Sequence, residues 1–234
     1  AEVAAIEAGD GRITAHCTNG AGIEADAVIL AVPLPLLSEI ALPPTARQRA
    51  QAAADIGFGN VVKILLRFAT PWWADIGGRE MAGLSFLLSN ATVPTWWTQY
   101  PDPYPVLTGW FAGPKADTVS AFGENEFVEM ALASLAEIFE LPADRIRATL
   151  VASQAINWGN DPFARGAYSY VTPATRAALP VLRRPDRDGI FISGEALYAG
   201  PDMGTVEAAL ASGQETARTI LTGLSEIPSP PIAL

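Results

Sequence analysis

One cysteine, Cys17, and one histidine, His16, serve the whole 234-residue chain, and that scarcity excludes several chemistries at once. No disulfide can form within the chain, and a Cys/His zinc site has too few ligands, so no metal residue is assigned. A Ser-His-Asp triad would have to use His16, and the nucleophile-elbow spacing G-x-S-x-G occurs nowhere. His16-Cys17 reads as a strand pair beside a turn. Basic residues are also few: 15 Lys and Arg stand against 25 Asp and Glu, a formal net charge of −10. Nucleic-acid binding draws its sequence-independent affinity from clustered Lys and Arg, so no nucleic-acid partner is expected, whereas a cationic small substrate suits the field. Long apolar runs are missing too. The most apolar stretch, 25–37, carries Asp26 and two prolines and falls short of the roughly 18 residues a spanning helix needs, so no membrane span is expected. No basic, then apolar, leader precedes it, which points to a cytoplasmic location.

What is present is a core. Half the residues are hydrophobic and 17% are charged, a balance that argues against disorder. The chain opens on Ala1 and passes at once into strand-like alternation at Val3 and Ile6, which suggests a fragment of a longer protein; a processed N-terminus explains the same feature.

Residues 3–32 read as β-structure: a hairpin about Gly9-Asp10-Gly11, a second turn at 19–22, and a third strand running from Ile23 to Val32 until Pro33 and Pro35 end it. A short Ala- and Gln-rich helix is expected over 46–54, broken by Phe58-Gly59-Asn60. Val61–Phe68 is an aliphatic strand with a single lysine, Lys63, inside it. From Pro71 to Pro114 the chain is rich in aromatics and turns, with Trp72-Trp73, Phe86, Trp96-Trp97 and Trp110-Phe111, and reads as antiparallel strands. Phe127, Met130, Ala131, Leu135 and Ile138 repeat at helical spacing, which predicts an amphipathic helix over 124–139. Strands are expected over 147–156, 166–171 and 190–193. The last helix is expected over 205–221, with Val206, Leu210, Gly213, Ala217, Ile220 and Leu221 on one apolar face, Gly223 as its stop and a frayed Pro-rich end at 228–231.

Two glycine patterns invite a dinucleotide reading. Gly20-Ala-Gly22 and Gly57-Phe-Gly59 each approach G-x-G-x-x-G, but that fingerprint needs a strand entering and a helix leaving, because the helix N-terminus receives the pyrophosphate. Both lead instead into strands, so both are read as structural turns.

Four collinear blocks, "ADAVILAVPLPLL", "GFGNVVKILLRFATPWW", "INWGNDPFARGAYSYVTPA" and "GIFISGEALYAGPDMGTVEAALASGQETARTIL", carry a resemblance across nearly the whole chain. The sequence resembles the C-terminal part of the flavin-containing amine oxidases, the monoamine and polyamine oxidase group. The resemblance implies a mixed α/β fold with three segments: 1–56 and 166–234 in a partial Rossmann-like FAD-binding domain, and 57–165 in a partial substrate domain built on a mixed or antiparallel sheet. It places Lys63 at the lysine that holds a water near the flavin. It puts Trp158 and Tyr168 at aromatic positions beside flavin and substrate, and Gly194, Glu195, Gly204, Thr205, Val206 and Val3 at cofactor contacts, Val3 toward the adenine end. Ala167 stands where some members carry a flavin-linked cysteine, which implies non-covalent FAD. Asp202-Met203 stand where a second wall aromatic is expected.

The family's G-x-G-x-x-G unit has no counterpart here, so this chain alone is expected to bind FAD poorly or not at all. The implied activity is oxidation of a C–N bond in a small amine by hydride transfer to flavin, with O2 reoxidation to H2O2. Three alternatives stay open: a non-catalytic remnant, one subunit of a split oxidase, and a desaturase or oxidase acting on a carotenoid- or porphyrinogen-like substrate. A missing N-terminal segment, a partner chain and a homodimer are all open as ways to complete the molecule.

Overall fold

The computed structural model describes residues 1–9, 11–185 and 188–225. In chain order the strands are β1 (Val3–Gly9), β2 (Arg12–Cys17), β3 (Gly22–Ala25), β4 (Val28–Leu30), β5 (Gly57–Gly59), β6 (Val61–Phe68), β7 (Asp75–Ile76), β8 (Arg79–Glu80), β9 (Phe86–Leu88), β10 (Thr95–Trp97), β11 (Val106–Ala112), β12 (Leu150–Asn157), β13 (Tyr168–Tyr170) and β14 (Ile190–Ile192). The helices are α1 (Pro44–Ala50), α2 (Pro114–Thr118), α3 (Glu124–Phe139), α4 (Ala143–Arg147), α5 (Thr175–Leu182) and α6 (Val206–Ser225). They form a mixed α/β architecture in two compact units, 1–59 with 163–234 and 60–162.

In the first unit β1, β2 and β3 form an antiparallel meander. Asp10 of the expected first turn lies outside the described residues. The expected third strand divides. Residues 22–25 pair with β2, whereas 28–30 leave for a parallel pairing with β14, Val28 opposite Ile190 and Leu30 opposite Ile192. Asp26-Ala27 is the crossing point, so one hydrophobic run serves two sheets. Buried Ile6, Ile13, Leu30, Leu37, Leu182, Ile190 and Ile192 make this unit's core.

The helix expected over 46–54 starts two residues earlier, with Pro44 at its first turn, where a missing N–H costs nothing, and tightens into a 3-10 turn at Gln51–Asp55. Its Arg49 is 2% exposed and donates from Nη1 to the Arg184 carbonyl at 2.5 Å and from Nη2 to the Ile190 carbonyl at 2.7 Å. A buried guanidinium thereby ties α1 to the start of β14. Gly20 sits in a turn as expected, but Gly57–Gly59 is a strand, β5, antiparallel to β13. The Tyr170 ring lies where a Cβ on Gly57 would be, so a larger residue there would push that exposed ring aside.

The second unit is built on the sheet β12-β6-β11-β10-β9, antiparallel at every pairing. Val62, Ile64, Leu66 and Phe68 alternate onto one face and pack with Phe111, Trp96 and the α3 residues Phe127, Ala131, Leu132 and Leu135. Helix α3 spans the expected residues, and at its start the Gly123 N–H donates to the Glu126 carboxylate at 2.6 Å. The strand expected from Arg147 begins only at Leu150, because 143–147 coil into α4. Trp96, 1% exposed, donates from Nε1 to the Val93 carbonyl at 2.9 Å, which satisfies the one polar atom it carries inside.

The closing helix α6 turns its expected apolar face outward. Val206, Leu210 and Leu221 are 71%, 62% and 65% exposed, while the buried positions are the small Ala208 and Ser212. Small residues let the helix lie close on the Glu195–Leu197 turn, where Ser212 Oγ accepts from the Gly194 N–H at 3.1 Å. The Pro-rich end at 228–231 lies outside the described residues. No helix among them is long and apolar enough to cross a membrane.

Candidate cofactor and amine site

In the first unit the sequence-assigned residues gather about Ser169, which the sequence reading passed over. Ser169 is buried at the centre of β13, between two exposed tyrosines. Its N–H donates to Glu195 Oε1 at 3.1 Å, and its hydroxyl donates to Glu195 Oε2. Its carbonyl lies 2.9 Å from where a Cβ on Gly204 would sit, and the Tyr168 ring edge is 3.5 Å from that point. Gly204 also has φ +86°, so both the close approach and the left-handed backbone call for glycine there. One serine therefore fixes Glu195, Gly204 and Tyr168 together. The period-2 pattern Tyr-Ser-Tyr was the available signal, since a polar residue flanked by aromatics in a strand faces inward only when it has a partner.

Helix α6 begins beside this cluster. Thr205 caps it, accepting at Oγ1 from the Ala208 N–H at 3.1 Å and donating to the Asp202 carbonyl at 2.7 Å. The backbone N–H groups of Val206 and Glu207 precede the first bond within the helix, Ala209 N–H to the Thr205 carbonyl, so they carry the positive end of a 20-residue helix. Glu207 puts a carboxylate into that same turn and opposes a phosphate there, while leaving a neutral carbonyl acceptor welcome. Gly194, at φ +142°, has open space around its α-carbon. Val3 opens β1 opposite Cys17, half-buried against the unit's core, and is not among the residues around Ser169.

These features fit the flavin that the resemblance implies in part. A helix N-terminus with a glycine entry, a flanking tyrosine and a second open glycine suit a flat ring bearing carbonyl acceptors. Glu195 has both oxygens on Ser169, yet a carboxylate accepts about four hydrogen bonds, so capacity remains.

The second unit places Lys63 and Trp158. Lys63 is on β6 opposite Trp110 of β11 and Ile156 of β12, on the face away from the core. It is half-buried, with Nζ 5.4 Å from the centroid of the Trp97 ring. Trp158 opens a 3-10 turn two residues past Ile156, held by the Gly159 N–H donating to Asn157 Oδ1 at 3.1 Å, and its side chain is exposed. Trp97 went unassigned in the sequence because its contact with Lys63 reaches diagonally across β11.

Comparison with known proteins identifies the family and the fold. The profile of the flavin containing amine oxidoreductases matches residues 1–221. The chain is 30% identical to lysine-specific histone demethylase 1 homolog 3 of Arabidopsis thaliana over 94% of its own length and 14% of that protein's. It is 26% identical to the human peroxisomal N(1)-acetyl-spermine/spermidine oxidase, over 90% of this chain and 45% of that one. Among solved structures, a putrescine oxidase redesigned for cofactor binding superposes with a TM-score of 0.78 at 24% identity, over 95% of this chain and 48% of that one. Cyclohexylamine oxidase from Brevibacterium oxydans gives 0.75 at 22% identity. The chain thus spans less than half the length of each of these proteins, and it belongs to the flavin-containing amine oxidoreductase family.

Proposed function

From that membership we propose that the chain is the C-terminal portion of an FAD-dependent amine oxidase. Residues 1–56 and 166–234 contribute to a cofactor-binding domain, and 57–165 to a substrate-binding domain. The observation that carries the reading is the Ser169 cluster, in which a buried serine holds Glu195 and Gly204 beside the capped N-terminus of α6. When bound, FAD would take a hydride from the carbon next to the amine nitrogen and pass its electrons to O2, giving H2O2. With Glu207 in the first turn, the α6 N–H groups would hold a ring carbonyl of the flavin in preference to a phosphate. Tyr168 and Trp158 present aromatic surface to ring or substrate, Gly194 admits close backbone approach, and Val3 serves the adenine end. Lys63 handles the water and proton that turnover requires. Ala167, whose N–H donates to the Gly59 carbonyl at 2.8 Å, has no thiol to link, so FAD is held non-covalently.

A further segment completes the cofactor site, either upstream in the same chain or on a partner. Two features support this: the exposed stripe of Val206, Leu210 and Leu221, and the two-stranded parallel sheet β4–β14, an arrangement that is ordinarily extended by further strands and covered on both faces. The chain alone is expected to take up little FAD. Supplied with a strand–helix unit bearing G-x-G-x-x-G, fused or co-expressed, it should become yellow, and Gly204→Val should abolish the colour. Folded protein that remains colourless with that unit present would sink the reading. In an active form, Lys63→Met should slow flavin reduction by about 100-fold or more; an unchanged rate removes Lys63 from the chemistry.

A further inference from the structure

On the outer face of the second unit's sheet, strand register sets two rows side by side. Ile156, Lys63, Trp110 and Thr95 form one, and Gln154, Leu65, Thr108, Trp97 and Phe86 form the next. Lys63 and Trp97 are diagonal neighbours across β11, and both side chains must reach over it to meet. They do: Nζ stands 5.4 Å from the ring centroid, within the range of a cation–π contact. Trp97 is itself supported from the far side by Phe86, whose ring centroid is 6.1 Å away at 36°. Within the second row Thr108 is buried, although it lies on the outer face, so the larger side chains around it cover the sheet there.

Lys63 has unusual need of such a support. Its stem rises between Trp110 and Ile156, and among the described residues no acid is paired with it. A lysine has four rotatable bonds and a strongly hydrated head, so a free one samples many positions. A ring face at this distance narrows that range and attracts the charged nitrogen without neutralising it, as a carboxylate would. Tryptophan offers the strongest such face of the three aromatic side chains.

We propose that Trp97 is a positioning residue that holds the Lys63 ammonium in place through its ring face, with Phe86 bracing the ring. The geometric part stands on the second unit alone; the part concerning turnover rests on the function proposed for Lys63.

The two parts are separable by experiment. The sequence contains only two lysines, Lys63 and Lys115, so reductive methylation with [13C]formaldehyde gives this chain two assignable dimethyl-lysine signals beside that of the N-terminus. The Lys63 signal should lie upfield of Lys115 because of the indole ring current. Trp97→Phe should keep part of the displacement, and Trp97→Leu should remove it while the Lys115 signal stays in place. Coincident Lys63 and Lys115 signals in the unaltered folded chain overturn the proposal without any variant having to fold. In an active form, Trp97→Leu should slow flavin reduction about 2- to 30-fold, the span a cation–π contact commands. It should cost nothing further in a Lys63→Met background. Losses that multiply in the double variant overturn the claim that Trp97 acts through Lys63. A Lys63→Met protein with an unchanged rate strikes instead at the function proposed for Lys63, and the ring-current result stands apart from it.

Discussion

The two units handle their sheets in opposite ways. In the second, five antiparallel strands form one continuous sheet, in which β6 pairs Lys63 with Trp110 of β11 on one side and with Ile156 of β12 on the other, and α3 covers one face with Phe127, Leu132 and Leu135. In the first, β4 and β14 pair in parallel from opposite ends of the chain, 28–30 with 190–192, and α6 leaves Val206 and Leu210 exposed. A parallel pair needs a crossover connection and expects cover on both faces, whereas an antiparallel sheet can leave one face open. Both units expose apolar side chains, Val206 and Leu210 in the first and Phe86 and Leu88 in the second, but only the first rests on a two-stranded parallel pair.

Three substitutions act on the two units unequally. The largest effect should come from Trp96→Ala, which removes a fully buried indole from the second unit's core and should cost about 3–5 kcal/mol. Denaturation with hydrogen exchange would read it, with β6 and β11 losing protection before β1 and β2; uniform loss across both units would show that they do not melt separately. Next, Arg49→Met removes two charge-assisted hydrogen bonds at the entry to β14 and leaves the carbonyls of Arg184 and Ile190 to find others, at a cost of about 2–3 kcal/mol. Faster exchange at the Ile192 and Ser193 amides with the five-stranded sheet unchanged is the expected pattern. If the parallel pair is unaffected, Arg49 does not set its register.

The smallest effect is electrostatic. Arg147 forms a two-pronged pair with Glu129 between α4 and α3, and its hydrogen bonds hold the Glu129 carboxyl below the usual glutamate range. A depressed folded-state value contributes stability that is present above the unfolded value, near 4.5, and is lost as pH falls through the folded one. The pair is solvent-exposed, so the contribution is small and weakened by salt. Glu129→Gln should lower stability slightly at pH 7 and by less at pH 3, where the contribution is already being lost, and so flatten the acid limb of the stability curve; an equal change at pH 7 and pH 3 would deny the pair that role.

Much of the second unit was legible in the residues. The alternation of Val62, Ile64 and Leu66 announced a strand with one buried face, and the spacing of Phe127, Ala131 and Leu135 announced α3, because each pattern reports a local periodicity. The same logic misled at Ile23–Val32, a continuous apolar run that divides between two sheets, and at Arg147, where helix α4 precedes the strand. It also identified the apolar stripe of α6 without revealing that the stripe faces outward. Periodicity shows that a face is apolar, not what it meets. Thr175–Leu182 is amphipathic, with Thr175, Ala178 and Leu182 on its buried side, but it is only eight residues long and carries Pro180, which in sequence reads as a helix breaker.

At the candidate site, family resemblance pointed to Lys63, Tyr168, Glu195 and Gly204, while the residues in contact with them were not legible in the sequence. Ser169 is 26 positions from Glu195, and Trp97 is 34 positions from Lys63, separations at which sequence pattern carries no information about contact. The sequence by itself determined the periodic elements, the exclusion of disulfide and Cys/His metal chemistry, and the family. The tertiary structure alone decided that one buried serine meets Glu195 and Gly204 and that one indole meets the lysine. Backbone propensities and hydrophobic periods are written within a few residues, whereas a hydrogen bond or a ring contact exists only once the sheet has set its register.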